Sequence, residues 1–446
     1  MFCPSLSPEE VDSVIETLTD AETIACLSMR TLDVNAATSV LPDHTALLEY
    51  AVVPHMKTIA LFALFPSRGL VSNPYRVPLE EFMTARAEFY EKIAQMEAEL
   101  DRTRTLSSGG LASSAGSREF RSPIDAFWRV LHEHKSGLER ALQRIGELLL
   151  PAELVAQLRT AGIQRLLIVP DGPLYDIPFP ALRIEVETQY VYVVDEGGFE
   201  VVIAPSMTAF DRCRKKMVQR IGSVSPSSVR TLLLSDPNFN RKELALPGVV
   251  TSVENLRLSC RVPERAVHLP QNHANRENLR KYCPAANVTV FYGHGQYDSE
   301  NALNSCLHLH FGGDPEIALT DAVRASDLLT WPREDRFDMC SLFIMAACWG
   351  GRLDSNAMWD SRELVGFAST LFQRGVASMI GALWPAMVGP TTTLLEGFFA
   401  EYFDGLPAST ALRSALRRLR ATSDRRWDHP YFWAPFYLMG DYKAWP

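Results

Sequence analysis

The sequence predicts an α/β fold: a mostly parallel sheet with helices on both faces, preceded by a second α/β lobe. Three observations lead there. In the second half, short apolar runs alternate with helical stretches, the pattern of right-handed crossover connections. Two of those runs lead into a chemically active residue, a histidine with glycine on either side (Gly293-His294-Gly295) after Val288–Gly293 and a cysteine with two glycines soon after it (Cys348-Trp349-Gly350-Gly351) after Phe343–Ala347. The first half has strands and helices of its own, without a matching His or Cys at a strand end.

Taken in order, residues 1–40 read as helical, because Ser7-Pro8-Glu9-Glu10 has the chemistry of a cap and first turn and Val11, Val14, Ile15 and Leu18 form a stripe. Strands are expected at Leu47–Val53 and Thr58–Phe65, then a long helix over Pro78–Arg104. Residues 105–122, rich in Ser, Gly and Ala, read as a mobile surface loop. Helices follow at Ile124–Leu149 and Pro151–Ala161, and a buried strand at Arg165–Pro170. Tyr190–Val194 and Glu200–Ala204 read as a strand pair around Asp195-Glu196-Gly197-Gly198. The Ser/Pro stretch 223–228 is the expected boundary, dividing the chain into 1–40, 41–225 and 226–446.

Beyond it, strands are expected at Thr231–Ser235, Ala266–Leu269, Val288–His294, Cys306–His310, Ala377–Leu383 and Phe436–Met439, besides the one that ends at Cys348. Helices are expected at Val249–Ser259, Asn275–Tyr282, Thr320–Leu329, Glu363–Arg374, Thr391–Asp404 and Thr410–Ala421. The basic run from Arg413 to Arg426 reads as the solvated face of one helix.

Composition bounds the function. A chain of 446 residues, 47% hydrophobic and 22% charged, is long enough for two or three globular domains. Its net charge of -9 argues against a nucleic-acid or anionic-membrane partner. No apolar run has membrane-spanning length, and the eight cysteines show no C-x-x-C spacing, which reads as reduced thiols in the cytoplasm.

In an open parallel sheet, strand C-termini line the crevice where ligands bind. Neighbouring strands that end in His294 and Cys348 bring together imidazole and thiol, the minimum for a cysteine nucleophile with a base. The plainer readings stand beside this one. A cysteine at the end of a buried strand is often just a small hydrophobe. His308 and His310 share a strand face and with His294 imitate a zinc site. His429, before Pro430, reads as structural, and Trp384 as either sheet packing or a pocket wall.

At this point a resemblance becomes specific. Leu47-Leu48-Glu49-Tyr50, Leu166–Gly172, Ile177–Leu182, Ala204-Pro205-Ser206, Tyr292–Gly295, Ala346-Ala347-Cys348, Glu363–Phe367, Gly381–Trp384 and His429–Phe436 follow one another as they do in the CHAT-domain peptidases. These are caspase-like cysteine peptidases related to caspases and separases, and the resemblance covers residues 40–446. It implies a caspase-like sheet in 226–446 and a degenerate caspase-like companion lobe before it. It also implies a cysteine endopeptidase in which Cys348 is the nucleophile and His294 activates the thiol and protonates the leaving amine. The backbone N–H groups of Gly295 and Cys348 would form the oxyanion hole. No metal or other cofactor is implied. The partners implied are a protein substrate and an activating protein. A catalytically silent scaffold of the same fold is the alternative reading.

The chain also departs from the family pattern. Ala346 stands where relatives often carry serine, and Trp349 replaces a small polar residue beside the nucleophile. Pro385-Ala386-Met387 lacks the acid that often follows the tryptophan matched to Trp384, which leaves Asp354, Asp360 and Glu363 as substrate-contacting acids alongside Trp349 and Trp384.

Overall fold

A computed structural model describes residues 34–66, 69–70, 75–108, 123–221, 223–238, 244–296, 298, 302–310, 322–349, 364–422 and 425–443. The strands, in chain order, are β1 (Thr45–Val53), β2 (Thr58–Phe65), β3 (Gly69–Leu70), β4 (Tyr75–Pro78), β5 (Arg165–Val169), β6 (Arg183–Val186), β7 (Gln189–Tyr192) and β8 (Glu200–Ile203) in the first half. The second half has β9 (Thr231–Ser235), β10 (Ala266–Pro270), β11 (Val288–Gln296), β12 (Cys306–Leu307), β13 (Val323–Arg324), β14 (Leu342–Trp349), β15 (Ser378–Ala382) and β16 (Phe436–Gly440). All but β6 and β7 belong to one sheet, whose path runs β10-β9-β11-β14-β15-β16-β8-β5-β1-β2-β3.

The fold is α/β and mostly parallel, as the alternating pattern predicts. The central strands β9, β11, β14 and β15 are parallel neighbours, and so are β8, β5 and β1. Their residues are buried almost without interruption, as in strands covered on both faces. The two halves meet where β16 runs antiparallel to β15 and parallel to β8.

Side chains reinforce that junction. Arg220, on the helix Met207–Ile221, is buried and donates to the carbonyls of Asp338, Cys340 (2.5 Å) and Gly375. Glu200 on β8 accepts from Arg165 Nε (2.9 Å), Ser409 Oγ (2.7 Å) and Thr410 Oγ1 (2.8 Å). The Arg165 guanidinium lies over the Tyr442 ring at 3.8 Å. The basic run is therefore more than a solvated face. Arg413 donates to the Val194 and Asp195 carbonyls, and Arg420 pairs with Asp195 and Asp428 and stacks over Tyr192 and Trp433.

Other differences have local causes. Tyr190–Val194 and Glu200–Ala204 are not a hairpin. Gln189–Tyr192 pairs back onto Arg183–Val186, while fully buried Glu200–Ile203 joins the main sheet beside β5. The helix Met207–Ile221 is additional; Met207, Phe210, Cys213 and Met217 form its buried stripe. The helix expected at Thr320–Leu329 occupies Ala325–Thr330, because Val323–Arg324 pairs with Cys306–Leu307 instead. The expected strand Cys306–His310 is confined to those two residues. The helix from Leu79 continues to Ser108, so it takes in the first residues of the expected loop; 109–122 lie outside the described residues, as do 1–33. Among the described residues no helix is long and apolar enough to cross a membrane.

Candidate active site

β11 and β14 are parallel neighbours in continuous register from Val288↔Leu342 to Gly295↔Trp349, and within that register His294 is paired with Cys348. Adjacent strands lie about 4.8 Å apart, so positions 294 and 348 sit side by side at the C-terminal edge of the sheet. Along β11, Val288–Gly293 are buried, His294 and Gly295 half-buried and Gln296 exposed. The strand thus leaves the core at the histidine. Both strands run on past the expected terminal residues, β11 to Gln296 and β14 to Trp349.

The His294 ring is held from one side. Its Nε2 lies 2.6 Å from the carbonyl oxygen of Leu244. A carbonyl only accepts, so Nε2 carries the proton and, in the neutral ring, Nδ1 is the free base. The His294 carbonyl in turn accepts from the His308 N–H (2.9 Å). Gly293 is required next door: a Cβ there would lie 2.8 Å from Phe291 Cζ and 3.0 Å from Pro237 Cδ.

Pro237 belongs to the turn that ends β9. Asp236 has φ +48, donates its N–H to the Tyr292 carbonyl (3.0 Å) and accepts from the Leu246 N–H at Oδ1 (3.0 Å). Burial pushes the Asp236 carboxyl up, opposed by the Leu246 hydrogen bond and by the nearby His294. Gly293 stands out in the sequence as one of the glycines flanking the histidine, whereas Asp236 and Leu244 do not. The Asp-Pro pair after an apolar run is a turn signal, but it does not say what the turn holds.

His308 and His310 have partners of their own. His310 Nδ1 donates to the Pro237 carbonyl (3.1 Å), and His308 Nε2 lies 4.0 Å from Cys306 Sγ. Among the described residues no group of three or more His, Cys, Asp or Glu side chains is placed to hold a metal ion. Trp384 is buried, donates Nε1 to the Tyr431 carbonyl (3.0 Å) and packs against Phe89. His429 is buried and accepts from the Tyr431 N–H at Nδ1 (3.2 Å). Asp354, Asp360 and Glu363 lie outside the described residues, and for Cys348 and Trp349 the backbone alone is described.

Five thiols are described. Cys213, Cys260, Cys283, Cys306 and Cys340 are free and buried, and burial pushes all five thiols up, Cys213 to about 12 and Cys260 and Cys340 to about 11.

The CHAT domain profile matches residues 139–441, more than half of the chain. The chain belongs to the CHAT-domain family. Residues 40–138, which the sequence resemblance included, precede the matched span. This CHAT domain is 21% identical over 303 residues to tetratricopeptide repeat protein 28 of Homo sapiens, a match covering 62% of this chain and 12% of that protein. Its fold is similar to the separase of the Saccharomyces cerevisiae separase–securin complex in two crystal structures, with TM-scores of 0.60 and 0.58 and 12% identity. Each likeness covers 96% of this chain and 32% or 33% of the yeast chain. The chain therefore spans a minor part of the length of these relatives.

Proposed function

We propose that this CHAT domain is a cysteine endopeptidase that cleaves a protein partner at one or few sites. The observation that carries the reading is the register pairing of His294 with Cys348 at the sheet edge. Cys348 attacks the scissile carbonyl carbon as thiolate. Nδ1 of His294 takes the thiol proton and later delivers it to the leaving amine, and water then hydrolyses the thioester. The N–H groups of Gly295 and Cys348 hold the developing oxyanion, and glycine at 295 lets the substrate backbone approach. Residues 41–225 act as a companion lobe that buttresses 226–446 through the shared sheet.

Trp349 beside the nucleophile, with Asp354, Asp360 and Glu363 after it, sets access and side-chain preference, while Trp384 supports the pocket from within the core. The resting enzyme is slow in this reading, and a protein partner shifts the balance towards an active state. The reaction belongs in the cytoplasm, where thiols stay reduced.

The test is a comparison of new protein N-termini in cells carrying the wild-type chain and Cys348→Ala. Termini present only with the wild type support the peptidase. Identical sets in the presence of the activator, together with unchanged partner binding, point to the silent scaffold.

A further inference from the structure

We propose that Asp236 is a positioning residue for His294, acting through the Leu244 carbonyl. The inference rests on the peptidase reading for its role in turnover, but not for its geometry. Leu244 is fifty residues from His294 in sequence and meets it only because the chain returns to the sheet edge after the β9 turn. Asp236 ties that return: its Oδ1 accepts from the Leu246 N–H two residues beyond the carbonyl that holds the ring. Its own N–H is fixed on the Tyr292 carbonyl, two residues before His294. One residue thus fastens both the strand that carries the imidazole and the segment that orients it.

The neighbouring Pro237 closes the same clamp from the other side. It fills the space over Gly293, and its carbonyl accepts from His310 Nδ1. The turn is held in a left-handed conformation at Asp236, a state that aspartate and asparagine adopt more readily than most residues. A carboxylate whose only task was to sit in that turn would not need the Leu246 N–H. Without that bond the Leu244 carbonyl is free to drift, and a displacement of about 1 Å in a catalytic group costs about 10² in rate.

The experiment separates backbone conformation, hydrogen bonding and charge. Asp236→Gly relieves the left-handed conformation but supplies no acceptor. Asp236→Ala removes the acceptor, and Asp236→Asn keeps an acceptor without the charge. The readout is the His294 ring N–H peak in proton–nitrogen correlation spectra of histidine-labelled protein, assigned by its loss in His294→Gln. A ring proton held on a carbonyl is protected from solvent exchange and visible. We expect the peak in the wild type and in Asp236→Asn, and its loss in Asp236→Gly and Asp236→Ala. In cleavage assays the last two should lose about 10² in kcat with KM changed less than about threefold. A retained peak in both Asp236→Gly and Asp236→Ala overturns the proposal. If the peak behaves as expected while the activated wild type cleaves nothing, the clamp stands and the peptidase reading fails.

Discussion

The imidazole Nε2 of His294 donates to the carbonyl oxygen of Leu244 at 2.6 Å. That bond occupies one ring nitrogen and leaves the other as the base. The register of β11 and β14 puts position 348 alongside. An orienting acceptor, an imidazole and an adjacent thiol position make up the minimum of a cysteine nucleophile with general-base help. The group that orients the ring is main chain rather than a side chain.

The two glycines around the histidine should respond differently. Gly293→Ala forces a Cβ against Phe291 and Pro237 and should cost about 1–3 kcal/mol in urea denaturation, as overpacking does. Gly295→Val, at the half-buried end of β11, should lower turnover far more than stability. Normal turnover in Gly295→Val would mean that the substrate does not approach there.

Arg220→Met should destabilise the chain by about 3 kcal/mol, because the carbonyls of Asp338, Cys340 and Gly375 each lose a charged donor and Cys340 keeps only the Ala377 N–H. Lysine at this position has one nitrogen and cannot reach all three, so Arg220→Lys should recover only part of the loss. Unfolding midpoints in urea check both.

Acid should act through His429. Burial, reinforced by Lys135, lowers its pKa from 6.5 to about 3. The folded protein thus keeps the ring neutral while the unfolded chain binds a proton. The corresponding stability is fully present above the unfolded value near 6.5 and declines as pH falls from there towards 3. Between pH 7 and pH 5 the loss should be about 2 kcal/mol. The difference between wild type and His429→Asn in urea midpoints at these two pH values isolates this share. No change in that difference would place the ring in contact with water.

Trp349→Ala should raise the basal reactivity of Cys348 in the absence of any partner, if the indole covers the resting thiol. The rate of alkylation by iodoacetamide measures it. An unchanged rate would remove Trp349 from the account of regulation.

Much of this fold was legible because covered parallel strands are unbroken apolar runs. Thr231–Ser235 and Thr58–Phe65 have the expected ends, and the His294 and Cys348 strands are read from the same signal. The helix Met207–Ile221 was less visible: its apolar stripe is interspersed with Arg212, Arg214, Lys215 and Lys216. The β6–β7 pair was missed because Gly197-Gly198 offered a plausible hairpin turn one element too late. At the site, the residue types that do chemistry were readable, whereas Leu244 was not. Every residue has a carbonyl, and only the folded path selects this one.

The most direct test of the central claim is site-resolved alkylation of Cys348, followed by mass spectrometry, in wild type and His294→Ala across pH 5–9 with the activating partner present. The five described thiols elsewhere are buried and pushed up, which leaves them slow by comparison. We predict fast modification at Cys348 in the wild type, and a loss of substrate cleavage of about 10² to 10⁴ in His294→Ala accompanied by a shift of the alkylation profile to higher pH. Identical alkylation profiles and undiminished cleavage in His294→Ala would contradict a His294–Cys348 dyad.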